Sequence, residues 1–470
     1  AGVQWLPVVT QLTDGGFLVT WISADGSGQG NGLFGQRFTS AGVAVGTEFR
    51  LNTTTLGEQG AVVSGDRAHD VVGLVGGGWV ATWYDSAKDG SSGGIYYQIY
   101  DANGQKLGAE TRVNKTTTDE QRYPTITALA DGGFAIAWES NLQDSANYGV
   151  YQKVYEANGL ERLSLPPTDI LVNTAVASDQ LVPKSAALAD GGHVVVWASS
   201  HAADANGTWD VYAQRYDLNG QKVGGEFRVN NTTYNQQGYH GISTGVPNLD
   251  VTGLSGGGFV VTFAGNTGAS NSWEIYARRY DAEGTALTTT DTLVNTVTGS
   301  TQTGPQAARR AGGGYVHAGA AGAQDGDGNG VYAQRYNSEG AKVGAEFRVN
   351  VTASGNQGSR AGTNSYEESL SVTGLKDGGF AFTWQTGAAE VITRIYKADG
   401  TALTGEIQVN TATADWQWLP QVAALASGGL VVTWASYAQD GSGYGVYGQR
   451  LRPDGTRIGG EFRINTTVSG

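Results

Sequence analysis

A hydrophobic residue followed by asparagine recurs eight times along this chain: Leu51-Asn52, Val113-Asn114, Val172-Asn173, Val229-Asn230, Val294-Asn295, Val349-Asn350, Val409-Asn410 and Ile464-Asn465. Successive anchors lie 62, 59, 57, 65, 55, 60 and 55 residues apart, so a unit of about 59 residues is repeated eight times. This period constrains the fold more than any other feature. A unit so short cannot bury its own apolar face and must pack against its neighbours, which makes the whole chain one array. The units run approximately 1–55, 56–117, 118–175, 176–233, 234–297, 298–353, 354–412 and 413–470.

Each unit reads as four short strands. Strand a follows a Gln-x-x-Pro pattern, as in Gln4-Trp5-Leu6-Pro7 and Gln417-Trp418-Leu419-Pro420. Strand b is a Gly-Gly-led apolar run ending in an aromatic residue, such as Gly15-Gly16-Phe17-Leu18-Val19-Thr20-Trp21. Strand c is Val211-Tyr212-Ala213-Gln214-Arg215-Tyr216 and its near copies at Val331 and Val446, with the two-residue alternation of a β-strand. Strand d is Glu-Phe-Arg-Val-Asn, as at 226–230 and 346–350. Asp-Gly-Gly between a and b, and turns such as Asp101-Ala102-Asn103-Gly104 between c and d, supply the positive-φ positions that tight hairpins need. Four antiparallel strands per repeat make a propeller blade, so the expected architecture is all-β: a single eight-bladed β-propeller.

The strand-b aromatics Trp21, Trp83, Trp138, Trp197, Trp384 and Trp434 occupy one equivalent place, with Phe263 in repeat five and Gly319 in repeat six. A ring of that size buries roughly 150–250 Å², so these are expected to wedge adjacent blades together. Repeat six, with its Ala/Gly-rich strand, is expected to pack least well. The ends of the array suit a closed ring whose first and last blades meet mainly through side chains.

Composition removes several classes of function. The chain has neither cysteine nor methionine, which excludes disulfides, thiolate catalysis and Cys-bound zinc. Its net charge of −14 argues against a nucleic-acid partner. No apolar run approaches the roughly 18 residues of a membrane helix. A sulfur-free, acidic, Asn/Thr-rich chain fits an extracellular or cell-surface setting, and the unit is expected to be part of a larger chain or assembly.

The succession Asp-Gly-Gly-Phe-x-Val-x-Trp, Gln-Asp-Gly-Ser-Gly-x-Gly-Val-Tyr-x-Gln-Arg (439–450) and Gly-x-Glu-Phe-x-Val-Asn resembles repeats of long secreted bacterial RTX (hemolysin-type calcium-binding) proteins and surface adhesins. The resemblance spans essentially the whole chain and implies an exported, surface-associated protein. The Gly-Gly-x-Gly-x-Asp nonapeptide of the calcium-binding β-roll is absent, so the resemblance does not carry calcium with it.

Candidate chemistry is sparse. The b–c loop of repeat six, Asp325-Gly326-Asp327-Gly328-Asn329-Gly330, alternates oxygen-bearing side chains with glycines in the manner of a calcium loop, making Asp325, Asp327 and Asn329 the candidate metal ligands for Ca2+. The competing reading is a solvated Asp/Gly turn. His69, His240, Tyr366 and Arg309 come from separate repeats and are candidates for acid–base catalysis only if they converge at one mouth of the channel. Trp5, Trp416 and Trp418, with Trp209 and Trp273 beside Asp210 and Glu274, are candidates for stacking on sugar rings. The Asn-x-Thr sites at Asn52, Asn114, Asn230, Asn231, Asn350 and Asn465 recur at strand ends, which favours an asparagine that closes a turn over a glycosylation acceptor. The expected function is a non-enzymatic extracellular binding or adhesion module that presents propeller loops to a glycan or a surface protein. The alternatives are a polysaccharide lyase or hydrolase at the channel mouth and a structural subunit of an extracellular assembly.

Overall fold

In the computed structural model the described residues are 3–24, 30–61, 67–144, 147–200, 208–232, 236–238, 248–266, 272–358, 369–441 and 443–466. They form eight sheets, each of four antiparallel strands in sequence order, and no helix. Blade 1 is a (Gln4–Gln11), b (Phe17–Ala24), c (Asn31–Phe38) and d (Ala44–Arg50); blade 8 is a (Gln417–Ala424), b (Leu430–Tyr437), c (Tyr444–Leu451) and d (Arg457–Arg463). Strand a of every blade packs against strand a of the next, and that of blade 8 against that of blade 1, so the a strands form a closed inner ring. The array is the expected eight-bladed β-propeller.

The blades pack through the aromatics of strands b and c. Trp21, Trp83, Trp138, Trp384 and Trp434 are fully buried, Trp197 nearly so, and Phe263 takes the same place in blade 5. A second layer stacks the first residue of strand b on the last residue of strand c: Phe17 on Phe38, Trp79 on Tyr100, Phe134 on Tyr155, His193 on Tyr216, Phe259 on Tyr280, Tyr315 on Tyr336 and Phe380 on Tyr396. At Gly319 of blade 6 the missing aromatic is replaced from next door. A Cβ there would lie 2.1 Å from Ile275 Cδ1 of blade 5, so the isoleucine has grown into the vacated space.

The repeated asparagine explains how neighbouring blades are clasped. In all eight repeats its side-chain Oδ1 accepts the backbone N–H that opens strand c, at 2.7–2.9 Å. Its Nδ2 reaches the glutamine seven residues on in Asn52–Gln59, Asn114–Gln121 and Asn173–Gln180, at 2.9–3.0 Å. The residue after the asparagine then donates its N–H to a carboxylate on, or immediately before, strand d of the following blade, and the pairs run right round the ring: Thr53–Glu110, Lys115–Asp169, Thr174–Glu226, Asn231–Asp291, Thr296–Glu346, Val351–Glu406, Thr411–Glu461 and Thr466–Glu48. The last pair, with Asn465 Nδ2 on Gln4 Oε1 at 3.2 Å, closes blade 8 onto blade 1 by the chemistry used at the internal boundaries. No strand is exchanged across the closure among the described residues. The eight asparagines are at most 3% exposed, as a turn-closing role requires.

Candidate functional site

The Gln-x-x-Pro motif of strand a builds the face of the ring that carries the b–c loops. Its glutamine is buried in blades 1, 3, 4, 6 and 8, and the register of strand a slips just after it. The residue before proline takes positive φ in each: Leu6 at 54°, Tyr123 at 50°, Val182 at 51°, Gly304 at 60° and Leu419 at 55°. For the four non-glycine residues this is a strained conformation of about 1–3 kcal/mol, held by the surrounding sheet. The bulge re-aims the two middle residues of the motif at the ring's b–c end. In blade 8 those residues are Trp418 and Leu419, and in blade 3 Arg122 and Tyr123.

Blade 8 carries an aromatic platform. Trp416, immediately before strand a, meets Trp418 edge to face at 5.4 Å; Trp418 lies 5.0 Å from Tyr444 at the start of strand c; Tyr444 meets Tyr437 at the end of strand b at 4.9 Å. Trp416 is 41% and Tyr437 42% exposed, in contrast to the wedge tryptophans. In the following b–c loop Gln439 takes a hydrogen bond from Ser436 at 2.7 Å and gives one to Glu461. Four linked aromatics offer flat apolar faces together with the polar edges of tryptophan and tyrosine rings. That is the surface a pyranose ring and its hydroxyls require.

All five tryptophans expected to bind sugar lie at the b–c end of the ring, and Trp416 and Trp418 come together. Trp5 holds in blade 1 the position of Trp418 and is half-buried against the blade 1–2 core. Trp209 packs partly on the blade 4–5 core, and Trp273 is only 6% exposed. Trp273 therefore contributes packing, because its ring has no free face.

Blade 3 carries a polar cluster on the same face. Arg122 stacks on Tyr148 at 4.4 Å and on Tyr123 at 5.1 Å. Its Nε donates to Glu139 at 2.5 Å and its Nη1 to Glu120 at 3.1 Å, while Tyr148 donates its hydroxyl to Glu120 at 3.1 Å. Glu139 is fully buried and also accepts the Val182 N–H of the strained blade 4 bulge at 2.7 Å. Burial pushes its carboxyl up to about 6, opposed by Arg122 and the Val182 N–H. Sequence reasoning missed this cluster. Its signal was present, since Gln121-Arg122-Tyr123-Pro124 matches the motif that places Trp418.

Of the candidate catalytic groups, the described His69 and Arg309 lie apart. His69 starts strand a of blade 2 (His69–Gly73) at the b–c end and is 3% exposed, and its Nδ1 lies 3.2 Å from the Gly60 carbonyl. Burial, with Arg67 nearby, pulls it down to about 3, so it is a neutral core group. Arg309 ends strand a of blade 6 (Gln302–Arg309) at the opposite, a–b end of the ring and is exposed. An eight-residue strand spans roughly 25 Å, which separates the two along the axis as well as around it. His240 and Tyr366 lie outside the described residues.

At the blade 6 loop, Asp325 Oδ2 accepts the Asn350 amide at 2.9 Å and Asp327 Oδ2 accepts the Gly355 N–H at 3.0 Å. The Asn329 backbone N–H donates to Asn356 at 3.1 Å. Asp325 Oδ1 is buried with no hydrogen-bond partner. Among the described residues no three Asp, Glu or His side chains gather as a metal centre. The side chains present thus supply fewer oxygens than the six to eight, roughly, that calcium takes.

No protein-family model and no curated protein sequence matches the chain. Solved structures with a similar course include the β-propeller domain of the Trilobed protease from Pyrococcus furiosus (9% identity, 83% of this chain and 92% of that one, TM-score 0.43). A Hadza microbial sialidase (11%, 73% and 70%, 0.39) and an α-L-arabinofuranosidase of Fusarium graminearum (14%, 66% and 87%, 0.38) are further examples. These TM-scores lie below 0.5, so the functional reading rests on this chain's own residues. No helix among the described residues is long and apolar enough to cross a membrane.

Proposed function

We propose that the protein is a non-enzymatic extracellular binding module of a bacterial surface or secreted protein, and that it takes carbohydrate on the b–c face of blade 8. One observation carries the reading: Trp416, Trp418, Tyr437 and Tyr444 form a connected aromatic surface whose outer members stay exposed although every wedge aromatic is buried. Leaving such area in water costs about 25 cal/mol per Å², which a sugar ring stacked on it recovers. The bearer, a long exported protein with repeats like those of RTX proteins and adhesins, is supported by the Gln-Asp-Gly-Ser-Gly-x-Gly-Val-Tyr pattern of 439–447.

The test is a glycan array probed with the wild-type protein, Trp416→Ala and Trp418→Ala. The reading expects defined neutral oligosaccharides to be retained by wild type and lost by both variants, with Trp416→Ala melting as wild type does. Binding undiminished in both variants, or an array with no retained glycan, overturns it. Calcium bound at the Asp325 loop would be an addition to this function rather than its basis. Titrating calcium against a chelator should then raise the melting temperature by mass action, and an Asp325→Ala variant should lose the shift.

A further inference from the structure

On the a–b face of the ring, arginine side chains of strand c are held by aspartates of the a–b turns: Arg37 by Asp14 in blade 1 and Arg215 by Asp190 in blade 4. Blade 6 breaks this arrangement, because Gly312 stands where Asp14 and Asp190 stand in their blades. Arg335, the equivalent arginine, instead donates from Nη1 to the Ala398 carbonyl of blade 7 at 3.5 Å. Arg310 reaches the same carbonyl with Nη2 and the Gly378 carbonyl with Nε at 3.0 Å, its guanidinium lying over the Phe380 ring at 5.4 Å. Two like charges thus meet at one carbonyl oxygen. Among the described residues no carboxylate forms an ion pair with either.

The surroundings increase this positive charge. Arg309 is exposed beside Arg310, and Lys376 and Lys397 are exposed on the adjoining turns of blade 7. The carboxylates there are turned to their own loops. Asp377 accepts the Gly379 N–H at 2.8 Å, and Asp399, which feels the charges of Lys397 and Arg335, accepts from the N–H and hydroxyl of Thr401 at 2.8 and 2.7 Å. Burial and the neighbouring Arg335 lower the Arg310 pKa, which shows that the pair is under electrostatic pressure. Only three bonds to carbonyls are made by the two guanidiniums, each of which carries about five N–H donors. In a protein of net charge −14, a half-buried arginine pair whose neighbouring carboxylate, Asp399, is turned to its own loop instead of pairing with it is a local exception.

We propose that Arg310 and Arg335 form an oxyanion site at the blade 6–7 boundary, which takes the carboxylate or sulfate group of a small acidic ligand such as an acidic sugar. An oxyanion between two guanidiniums, planar carboxylate or tetrahedral sulfate, neutralises their repulsion and uses donors that the carbonyls leave over. The site lies on the face opposite the aromatic platform and concerns the anionic group alone, so either proposal can fail without the other.

The experiment is isothermal titration calorimetry of the full chain with D-glucuronate, with inorganic sulfate and with D-glucose as the neutral control, at constant ionic strength. Wild type should bind glucuronate or sulfate but not glucose, and whichever anion binds identifies the source of the charge. Arg310→Gln and Arg335→Gln should each weaken that binding at least tenfold, while Arg37→Gln on the same face leaves it unchanged. Melting in chloride provides the second readout. Relief of like-charge repulsion leaves the two variants as stable as wild type or more so, whereas purely structural arginines would lower the melting temperature. Equal heats for glucuronate, sulfate and glucose, or full binding by both variants, overturn the proposal.

Discussion

His193 offers a direct test of the stacked layer within each blade, because the repeats themselves provide its replacement. It opens strand b of blade 4 (His193–Ser199), is fully buried, stacks on Tyr216 at 4.8 Å and lies 2.8 Å from Gln152 Oε1 through Nε2. Phe17, Phe134, Phe259 and Phe380 fill this place in other blades. Burial, with Arg162 nearby, pulls the imidazole down from 6.5 to about 3. The native state therefore keeps it neutral while the unfolded chain takes up a proton below pH 6.5. The stability tied to this group is complete above pH 6.5 and is lost as pH falls from there towards 3. At pH 4.5 the loss is about two pKa units, or about 3 kcal/mol. His69 and His317, also pulled down to about 3, add losses of the same sign. Glu139 and Asp85, pushed up to about 6 by burial, act oppositely: their cost at neutral pH is relieved as they protonate below pH 6. The net slope of the wild type mixes both kinds of group, so the informative quantity is the difference made by His193→Phe. Urea unfolding at pH 7 and pH 4.5 should give a wild-type drop larger than the variant's by about 3 kcal/mol. Identical drops would mean that the imidazole is not held neutral between the blades, and the reasoning would fail.

Other perturbations probe the clasp, the close approaches and the polar cluster. Asn465→Ala removes the hydrogen bonds that join blade 8 to Gln4 of blade 1 and orphans the Val446 N–H; a loss of about 2–4 kcal/mol is expected by urea unfolding, similar to Asn173→Ala at an internal boundary. A much smaller loss at Asn465 would show that the ring does not depend on its closure. Gly374→Ala would set a Cβ 1.9 Å from the Arg309 carbonyl of the neighbouring strand a, so the two inner strands must part; a melting temperature lowered by several degrees is expected, and no change would refute the packing. Glu139→Gln leaves Arg122 without its buried counter-charge and weakens the hold on the Val182 N–H, and should lower stability at pH 7 by about 2–4 kcal/mol. Because protonation near pH 6 relieves the burial cost of Glu139 in the wild type alone, that deficit should widen at pH 5, and a pH-independent deficit would count against a carboxyl held above its ordinary range.

The architecture was legible because propeller units repeat what each boundary needs. The asparagine period marked the blades, and the Gly-Gly-aromatic runs marked the strands that wedge them. The glutamine seven residues beyond each asparagine was equally visible, yet its meaning needed the partner: only the structure shows Gln121 receiving the Asn114 amide. The site was harder to read because function here sits in departures from the repeat. Trp416 and Trp418 stood out as aromatics outside the wedge position, and they do meet. Trp273 looked equivalent in sequence but is buried, since exposure at the start of strand c depends on neighbours that no local pattern encodes. Arg122 and Glu139 are 17 residues apart and come together only because the strand a–b pairing sets them opposite.

The eightfold clasp also bears on why the ring can carry binding surfaces at all. Each boundary is held by a buried asparagine and by a strand-d carboxylate that accepts the next backbone N–H, groups that lie behind the inner rim of strand a. The middle residues of Gln-x-x-Pro take no part in that clasp. They are free to be Trp-Leu in blades 1 and 8, Arg-Tyr in blade 3, Leu-Val in blade 4 and Thr-Gly in blade 6. Arg122, Tyr123, Trp418 and Leu419 are only half-buried on the b–c face, whereas Leu6, Leu181, Val182 and Thr303 are buried and serve packing. In blades 3 and 8 the strained bulge is therefore best understood as a mount, with stability supplied by the recurring geometry of the clasp and specificity by what those two blades mount.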